Sequence, residues 1–518
     1  MRILQCMSMM FIVLPVSVLV LAATADAMDS NQARTRIPPL EWGEPGQREC
    51  MIVTRDRWHR NDDDSGLPPA DVSTHGPRVP AFPGAEGFGA YSFGGRGGAL
   101  YRVTNLKDSG PGSLREAAEA EGPRIVIFDV SGTINLESRI EVVHPYITIA
   151  GQTAPGDGIT VSGRKFDVRT YDVIIRHLRF RRGVYDDDVD EWAFRIRSGT
   201  HVIVDHITVS WGCDGNVGVT RMDYATVQNS MLAKPLHDSI HPKGVRGYGA
   251  LVRGRHGARY SFLRNLWANH RARVPRPGNY VSREEDPHGL LMAFRNNVIY
   301  QGVGANYDTD SVTRYNFVNN YILTSWRLIE HSPYARGHFS GNVLAGEQLS
   351  DQWSLLRPGD SVRREDHERD APFDVGAVTT LTPAETWETV MAGAGAWLRD
   401  SHDEKVVKET LNYHAVEIEG KEEPPHQLPD WWTEGGIDCQ DDVGGLPELA
   451  SVVAPEWIDT NRNGLPDWWE AANNLDADDP DIANQDSNGN GYTNIEDYIN
   501  DLDAIRVTRA LIDEGQAP

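Results

Sequence analysis

Short β-rich runs recur through the middle of the chain, at 173–180, 202–211, 225–233, 260–268, 292–300, 315–324 and 338–345. Each carries a polar residue at a matching place before an apolar one: His177, His206, Asn229, Asn265, Asn297, Asn320 and Asn342, with steps of 29, 23, 36, 32, 23 and 22. A period in the twenties, variable insertions and no helical periodicity between the runs predict a solenoid of stacked strands rather than βαβ units. The fold class expected is all-β, a parallel β-helix. Asn side chains stacked from turn to turn can bond along the stack, which satisfies amides directed into the coil. A β-sandwich is the second choice, disfavoured because Asn-Gly hairpin signals are missing between the runs. In a parallel β-helix the long insertions bulge from one side and commonly form the binding face.

The flanks are different text. Residues 1–27 read as a secretory signal: Arg2, an apolar run from Phe11 to Ala23 too short to span a bilayer comfortably, and the small-x-small site Ala25-Asp26-Ala27. Secretion to the cell exterior is therefore expected, with the periplasm or cell surface as alternatives, and no later segment has spanning length. Residues 28–79 are polar, carry Asp62-Asp63-Asp64, and read as a linker or loose extension. The solenoid domain is placed at 80–386, an acidic, helix-compatible extension packing on it at 387–454, a calcium-loop module at 455–502 and a tail at 503–518. Beyond the signal only Cys50, Cys213 and Cys439 remain, so this is no disulfide scaffold.

A basic island breaks the acidic background. Between Lys234 and Arg283 stand eleven Lys or Arg and one acid, Asp238, in a chain of net charge −25. Clustered cations repel unless something negative sits among them, so the island points to a local anionic partner. The overall charge makes no case for nucleic acid. The island also fills the longest insertions, the steps of 36 and 32 around Asn265.

Three segments together resemble a known family. Val202-Ile203-Val204-Asp205-His206-Ile207-Thr208-Val209-Ser210-Trp211, then Arg273-Val274-Pro275-Arg276, and the Asn-Asn pairs at 296 and 319 are similar to the pectate lyases of polysaccharide lyase family one. The early Phe82-Pro83-Gly84-Ala85-Glu86-Gly87-Phe88-Gly89 and Ser109-Gly110-Pro111-Gly112-Ser113-Leu114-Arg115 resemble its secreted bacterial members. The resemblance covers roughly residues 80 to 450 and implies a right-handed parallel β-helix, calcium, and β-elimination of polygalacturonate. It implies Arg273 as the base that takes the C5 proton and Lys243, in His241-Pro242-Lys243-Gly244, as the uronate-contacting lysine. A partner arginine expected five residues on is replaced by Gly278, leaving Arg271 and Arg276 as nearby candidates, with His241 and His270 beside them as substrate contacts. Calcium acids correspond to Asp190, with Asp188 able to substitute, and to Asp214. Trp192 stands where a second acid is expected.

The chemistry suits those residues. The C5 proton is weakly acidic, and cations that neutralise the adjacent carboxylate and the enolate-like charge lower the barrier. Arginine is a difficult base, its free pKa being above roughly 12, so neighbours must depress it; otherwise Lys243 or His270 takes the proton. Asp205-His206 is read as a structural pair.

A second calcium signature lies near the end. Asp459, Asn461, Asn463, Leu465 (by its carbonyl), Asp467 and Glu470 occupy positions 1, 3, 5, 7, 9 and 12 of an EF-hand-like loop with Gly464 at position 6. Asp486, Asn488, Asn490, Tyr492 (by its carbonyl), Asn494 and Asp497 repeat the spacing. These loops look like those of dockerin and thrombospondin type-3 modules. A cohesin-like partner is open to such a module, although nothing in the sequence calls for one; a monomer is expected.

The expected function is thus a secreted, calcium-dependent polysaccharide lyase acting on an anionic polysaccharide, pectate first. Lyases of rhamnogalacturonan or ulvan share the carboxylate logic. A polygalacturonase would need paired carboxylates at the cleavage site, where this chain gathers arginines. A non-catalytic uronan-binding β-helix is the rival from another class.

Overall fold

The computed structural model describes residues 79–184, 192–237, 239, 241, 244–254, 256–302, 305–306, 312–323, 329–358, 363–414, 436–454 and 458–513. The signal segment and the 28–78 extension lie outside these residues.

The chain winds as a parallel β-helix whose described residues form three long sheets and a short three-stranded one, Ala305–Asn306, Ile329–His331 and Leu356–Pro358. The first runs through ten strands from Ala99–Val103 to Ala335–Ser340, all parallel. The second runs from Gly132–Asn135 to Val343–Leu344 and ends on a short antiparallel strand, Glu347–Gln348. The third has five strands, from Ile140–Val142 through Trp192–Arg197 and Gly215–Thr220 to Tyr248–Arg253. Strands buried on both faces read as continuous apolar runs, which is why Val173–Arg176 and Val202–Asp205 show no alternation. Inside the coil, Phe262, Phe294, Phe317 and Phe339 follow one another at centroid spacings of 6.3, 5.0 and 6.2 Å. Each such buried ring contributes about 1.5–3 kcal/mol of transfer free energy.

The repeat column has one more layer of meaning than its spacing carried. At the corner between the first and second sheets the backbone takes a left-handed bend at His177, His206, Asn229, Arg264, Asn296 and Asn319 (φ 50–56°) and at Gly341 (φ 66°). Register pairs Gln228 with Leu263, so Asn229 stacks on Arg264 and the step there is 35, against the expected 36. Asn265 instead lies level with Ser230 and opens a ladder one residue later. Its Nδ2 donates to Asn297 Oδ1 (3.0 Å), Asn297 to Asn320 (3.1 Å), Asn320 to Asn342 (2.9 Å) and Asn342 to Gln352 Oε1 (2.9 Å). In the Asn-Asn pairs the first residue takes the strained bend, which Asn tolerates, and the second makes the ladder. The expected amide stacking is therefore present at Asn265, Asn297, Asn320 and Asn342, whereas His177, His206 and Asn229 of the same expected column take the bend instead.

Beyond the coils, Pro383–Gly393 and Ser401–Tyr413 are helices laid on the second sheet, where Val390, Met391, Val406 and Val407 pack against Met231, Leu266 and Val298. Asp400 caps the second helix and, with Asp403, grips the buried Arg181 at 2.6 and 2.8 Å. The last helix, Asn494–Asp513, continues through the point where the sequence placed the end of the calcium module. Among the described residues no helix is long and apolar enough to cross a membrane.

Asn297 is fully buried and its amide joins two neighbouring coils. Asn297→Ala leaves Asn265 and Asn320 groups unmatched and should cost about 1–3 kcal/mol in chemical denaturation. Asn316→Ala, which removes a bond to Phe373 outside the ladder, provides a comparison for the side chain's position rather than its type.

A candidate active site on the third sheet

The basic island folds back along the third sheet. Strand Leu266–His270 ends the second-sheet portion of its coil, and the chain then turns and runs beside Tyr248–Arg253 through bridges from Tyr248 to Ala272, Leu251 to Arg276 and Gly254 to Asn279. Ala250 N donates to the Arg273 carbonyl (2.7 Å), and Gly254 N to that of Gly278 (2.9 Å). Gly249 permits this approach, since a Cβ there would stand 2.5 Å from the Arg273 carbonyl oxygen. Arg273 itself is held in the left-handed region at φ 67°. A bulky residue in that region is an outlier that the surroundings must enforce.

The Arg273 guanidinium lies against aromatic rings. Its Cζ is 3.9 Å from the centre of the Tyr248 ring and 5.6 Å from that of Trp192. Gly215, the register partner of Trp192, leaves room for this indole, as a Cβ would meet it at 2.6 Å. Asp214 Oδ2 is 4.0 Å from Arg273 Nη1, which is buried and has no hydrogen-bond partner. The other carboxylate oxygen, Oδ1, is 3.2 Å from Arg246 Nε and 3.9 Å from His241 Nε2. Burial lowers the Arg273 pKa, Asp214 opposes this, and Arg276 and Arg246 reinforce it. The arrangement is a guanidinium with its charge partly destabilised, lying beside aromatic faces, with one buried nitrogen that makes no hydrogen bond.

The expected site residues separate on inspection. Arg273, Arg246, His241 and Asp214 come together. Arg276 lies alongside on the same stretch with its Nε buried and unbonded, and Arg271 reaches back to the Val245 carbonyl (2.9 Å). Lys243, Asp188 and Asp190 lie outside the described residues. His270 must be withdrawn from the substrate-facing set and as a candidate base: it is fully buried behind the strand, 5.9 Å from Trp267 ring to ring, with Nε2 3.5 Å from Asn216 Nδ2. The preceding Asn269 is left-handed (φ 62°), so strand alternation does not carry through to His270, and its enclosure is not legible from its place in the sequence. The His241 side chain is likewise enclosed and meets Asp214 and Arg246, not solvent. Asp214 is faced by cations, the environment of an ion-pair partner rather than of a carboxylate awaiting a metal alone. Asp205 and His206 are structural as read: Asp205 is buried and bonds Arg176, His206, Gln228 and Asn229.

Arg246, Tyr248 and Trp192 were missed as members of the site. Arg246 and Tyr248 are two apart, a strand-like spacing that places both on one side of the third-sheet entry, and this is the signal that could have found them.

Two further groups of oxygen donors converge in the C-terminal loops. In the first, Asn461 and Asn463 amides both reach Glu470 Oε1 (3.0 and 2.7 Å), and in the second Asn488 and Asn490 reach Asp497 (2.8 and 3.0 Å). The oxygens of the same amides accept from backbone N–H groups inside each loop, Asn463 N to Asn461 (3.1 Å), Leu465 N to Asn463 (2.8 Å), Asn490 N to Asn488 (2.9 Å) and Tyr492 N to Asn490 (2.8 Å). Asp459 Oδ1 is buried without a partner. The donor set therefore fits a hard cation. Asp467 and Asn494, at position 9, instead accept from Thr460 (2.8 Å) and Ser487 (3.4 Å) backbone amides.

No family model matches the chain. It is 34% identical over 440 residues to the probable pectate lyase C of Emericella nidulans, covering 82% of this chain and 92% of that protein. It is 33% identical over 438 residues to the probable pectate lyase C of Aspergillus terreus, with coverages of 82% and 94%. Among solved structures, a pectate lyase of Bacillus sp. N165 in complex with trigalacturonate aligns at a TM-score of 0.44 and 13% identity, over 60% of this chain and 99% of that one.

Burial holds the His270 imidazole at a pKa of about 3, with His237 adding to the effect, against an ordinary value of 6.5. Its folded pKa lies below its unfolded one, so its contribution to stability is present above about pH 6.5 and is lost as pH falls towards 3. Urea midpoints measured between pH 7 and 4 should decline less steeply in His270→Phe than in the wild type. With most of the chain aligned to these relatives along nearly their full length, the protein belongs to the pectate lyases.

Proposed function

We propose that the chain is a secreted, calcium-dependent lyase that cleaves polygalacturonate by β-elimination at the Arg273 site. The observation that carries this reading is the buried, unbonded Nη1 of Arg273 in a cluster of cations. A base must lose its proton before it takes one, and burial favours the neutral guanidine. In the reaction the C5–H bond breaks, its proton passes to Arg273, the electron pair forms the C4–C5 double bond, and the glycosidic oxygen at C4 leaves with its bonding pair and takes a proton from water. Tyr248 and Trp192 hold the guanidinium plane, while Asp214 fixes Arg246 beside it. Arg246 takes the place of the arginine that Gly278 lacks, reaching the site from the preceding coil to counter charge developing on the uronate. Arg271 and Arg276 extend the cationic surface along the polymer.

Calcium would be held at the substrate site by Asp188, Asp190 and Asp214, where it neutralises the uronate carboxylate and so acidifies the C5 proton. A separate structural role falls to the C-terminal loops, which resemble dockerin and thrombospondin type-3 loops. The signal-like residues 1–27 support secretion. Lys243, close to Arg246 in sequence, is the second choice for a base, since lysine shifts its pKa more readily than arginine.

Arg273→Lys should lower kcat on polygalacturonate by about a hundredfold or more, the lower range of what a positioned base contributes. Arg246→Ala should cost about tenfold through one lost charge-assisted contact, with partial recovery in Arg246→Lys. Because the base must be neutral, activity should rise with pH through the alkaline range. An Arg273→Lys enzyme with full rate would contradict the assignment.

A further inference from the structure

The C-terminal calcium loops are built into the β-helix wall. Leu465, Trp469, Ile482, Ile495 and Ile499 pack on Ile125, Ile127 and Ala150, all of them buried. Those last three sit on the first sheet: Ile125 and Ile127 belong to the strand Arg124–Phe128, and Ala150 ends the next. The inward residues of the same strand, Val126 and Phe128, belong to the main core. The first sheet's outer surface is therefore apolar at these coils, and the module covers it.

The polar contacts follow the same boundary. Arg96 meets Glu496 through two bonds, at 3.0 and 2.8 Å. Arg176 bonds Asp205 of the coil at 3.0 Å on one side, and Asn500 (3.2 Å) and Asp503 of the last helix on the other. Burial would raise the Asp503 carboxyl pKa, but Arg176 outweighs this and holds it below the usual range. Arg102 is the most informative. It bonds Asp129 of the coil at 2.8 and 2.9 Å and also bonds Asp459, the first ligand position of the first loop.

Asp459 thus has two functions in one carboxylate. Its Oδ2 is held by Arg102 and by the Gly464 amide (3.1 Å). Its Oδ1 is buried with no partner, although the side chain is only 7% exposed. Glu470, on which the loop amides converge, is 2% exposed. A carboxylate oxygen buried without a partner has lost its hydration, and a cation bound there would replace what burial removed. An ion that uses Asp459 Oδ1 together with Glu470 leaves Oδ2 with Arg102.

From this we infer that the first calcium loop is a metal-operated clamp on the first coils of the β-helix, with its apolar surface committed to this chain rather than to a protein partner. Calcium that binds the folded loop and not the unfolded one stabilises whatever folds with it. Here that includes the strands Ala99–Val103 and Arg124–Phe128, because Arg102 and the shared apolar cluster tie them to the loop. The inference rests on the reading of the loops as calcium sites, and its test separates the two.

The experiment uses the full chain with calcium chloride against a chelator, reading calcium stoichiometry by calorimetry and hydrogen exchange by mass spectrometry. The variants are an Asn461→Ala, Asn463→Ala pair, which removes loop ligands, and Arg102→Gln, which removes the tie. In the wild type, calcium should slow exchange across 99–128 at least tenfold. The paired variant should bind one calcium fewer and lose that protection. Arg102→Gln should keep the stoichiometry but lose most of the protection. If the paired variant binds one calcium fewer while exchange across 99–128 responds to calcium as in the wild type, the clamp is wrong and the loop is a calcium site of another purpose. If its stoichiometry equals that of the wild type, the first loop is not a calcium site and the clamp falls with it.

Discussion

The register between successive coils is the constraint on which everything else depends. A parallel β-helix has no hairpins to fix alignment, so each turn must be indexed against the one before it. Here the index is a corner where one residue per coil bends left-handed and, in the later coils, the next donates an amide along the stack. Slipping one residue would move every inward side chain to the outside. The bends at Asn229 and Arg264 thereby determine where the 271–276 stretch leaves the second sheet, and hence that Arg273 lands beside Tyr248.

The site follows from this placement. Third-sheet strands from successive coils deliver Trp192, Asp214 and Tyr248 side by side, and the island lies across the edge of the last of them. Residues from four separate parts of the chain therefore form one environment, in which burial and like charges oppose the charge on Arg273 while a single carboxylate limits that effect. An exposed arginine would remain fully protonated and could only bind. In the proposed reaction this enclosure is what would let Arg273 take a proton rather than only bind.

Much of this was legible in the sequence. The repeat period identified the solenoid because stacked coils must return at nearly fixed intervals, and the island marked the stretch that the structure lays along the third sheet. The two residues of the Asn pairs at 296 and 319 have different duties, bend and ladder, and spacing alone could not tell them apart; hence Asn229 and Asn265, read as one column, fall in different ones. His270 was misplaced because the left-handed Asn269 before it interrupts strand alternation, which its place in the sequence does not reveal. Arg246 and Tyr248 went unseen because their proximity to Arg273 is created by the parallel bridge to Ala272, a contact of the fold. The two C-terminal loops were readable as oxygen-donor patterns, whereas their attachment through Arg102, Arg96 and Arg176 required the apolar outer wall that they cover.

The account stands or falls on the bond that breaks. Digesting polygalacturonate with the wild-type enzyme and counting both new reducing ends and ultraviolet-absorbing unsaturated ends tests it directly. Elimination at the Arg273 site predicts one unsaturated end for every new reducing end, in the presence of calcium. New reducing ends without unsaturation would mean hydrolysis, and would contradict the assignment of Arg273 as the base.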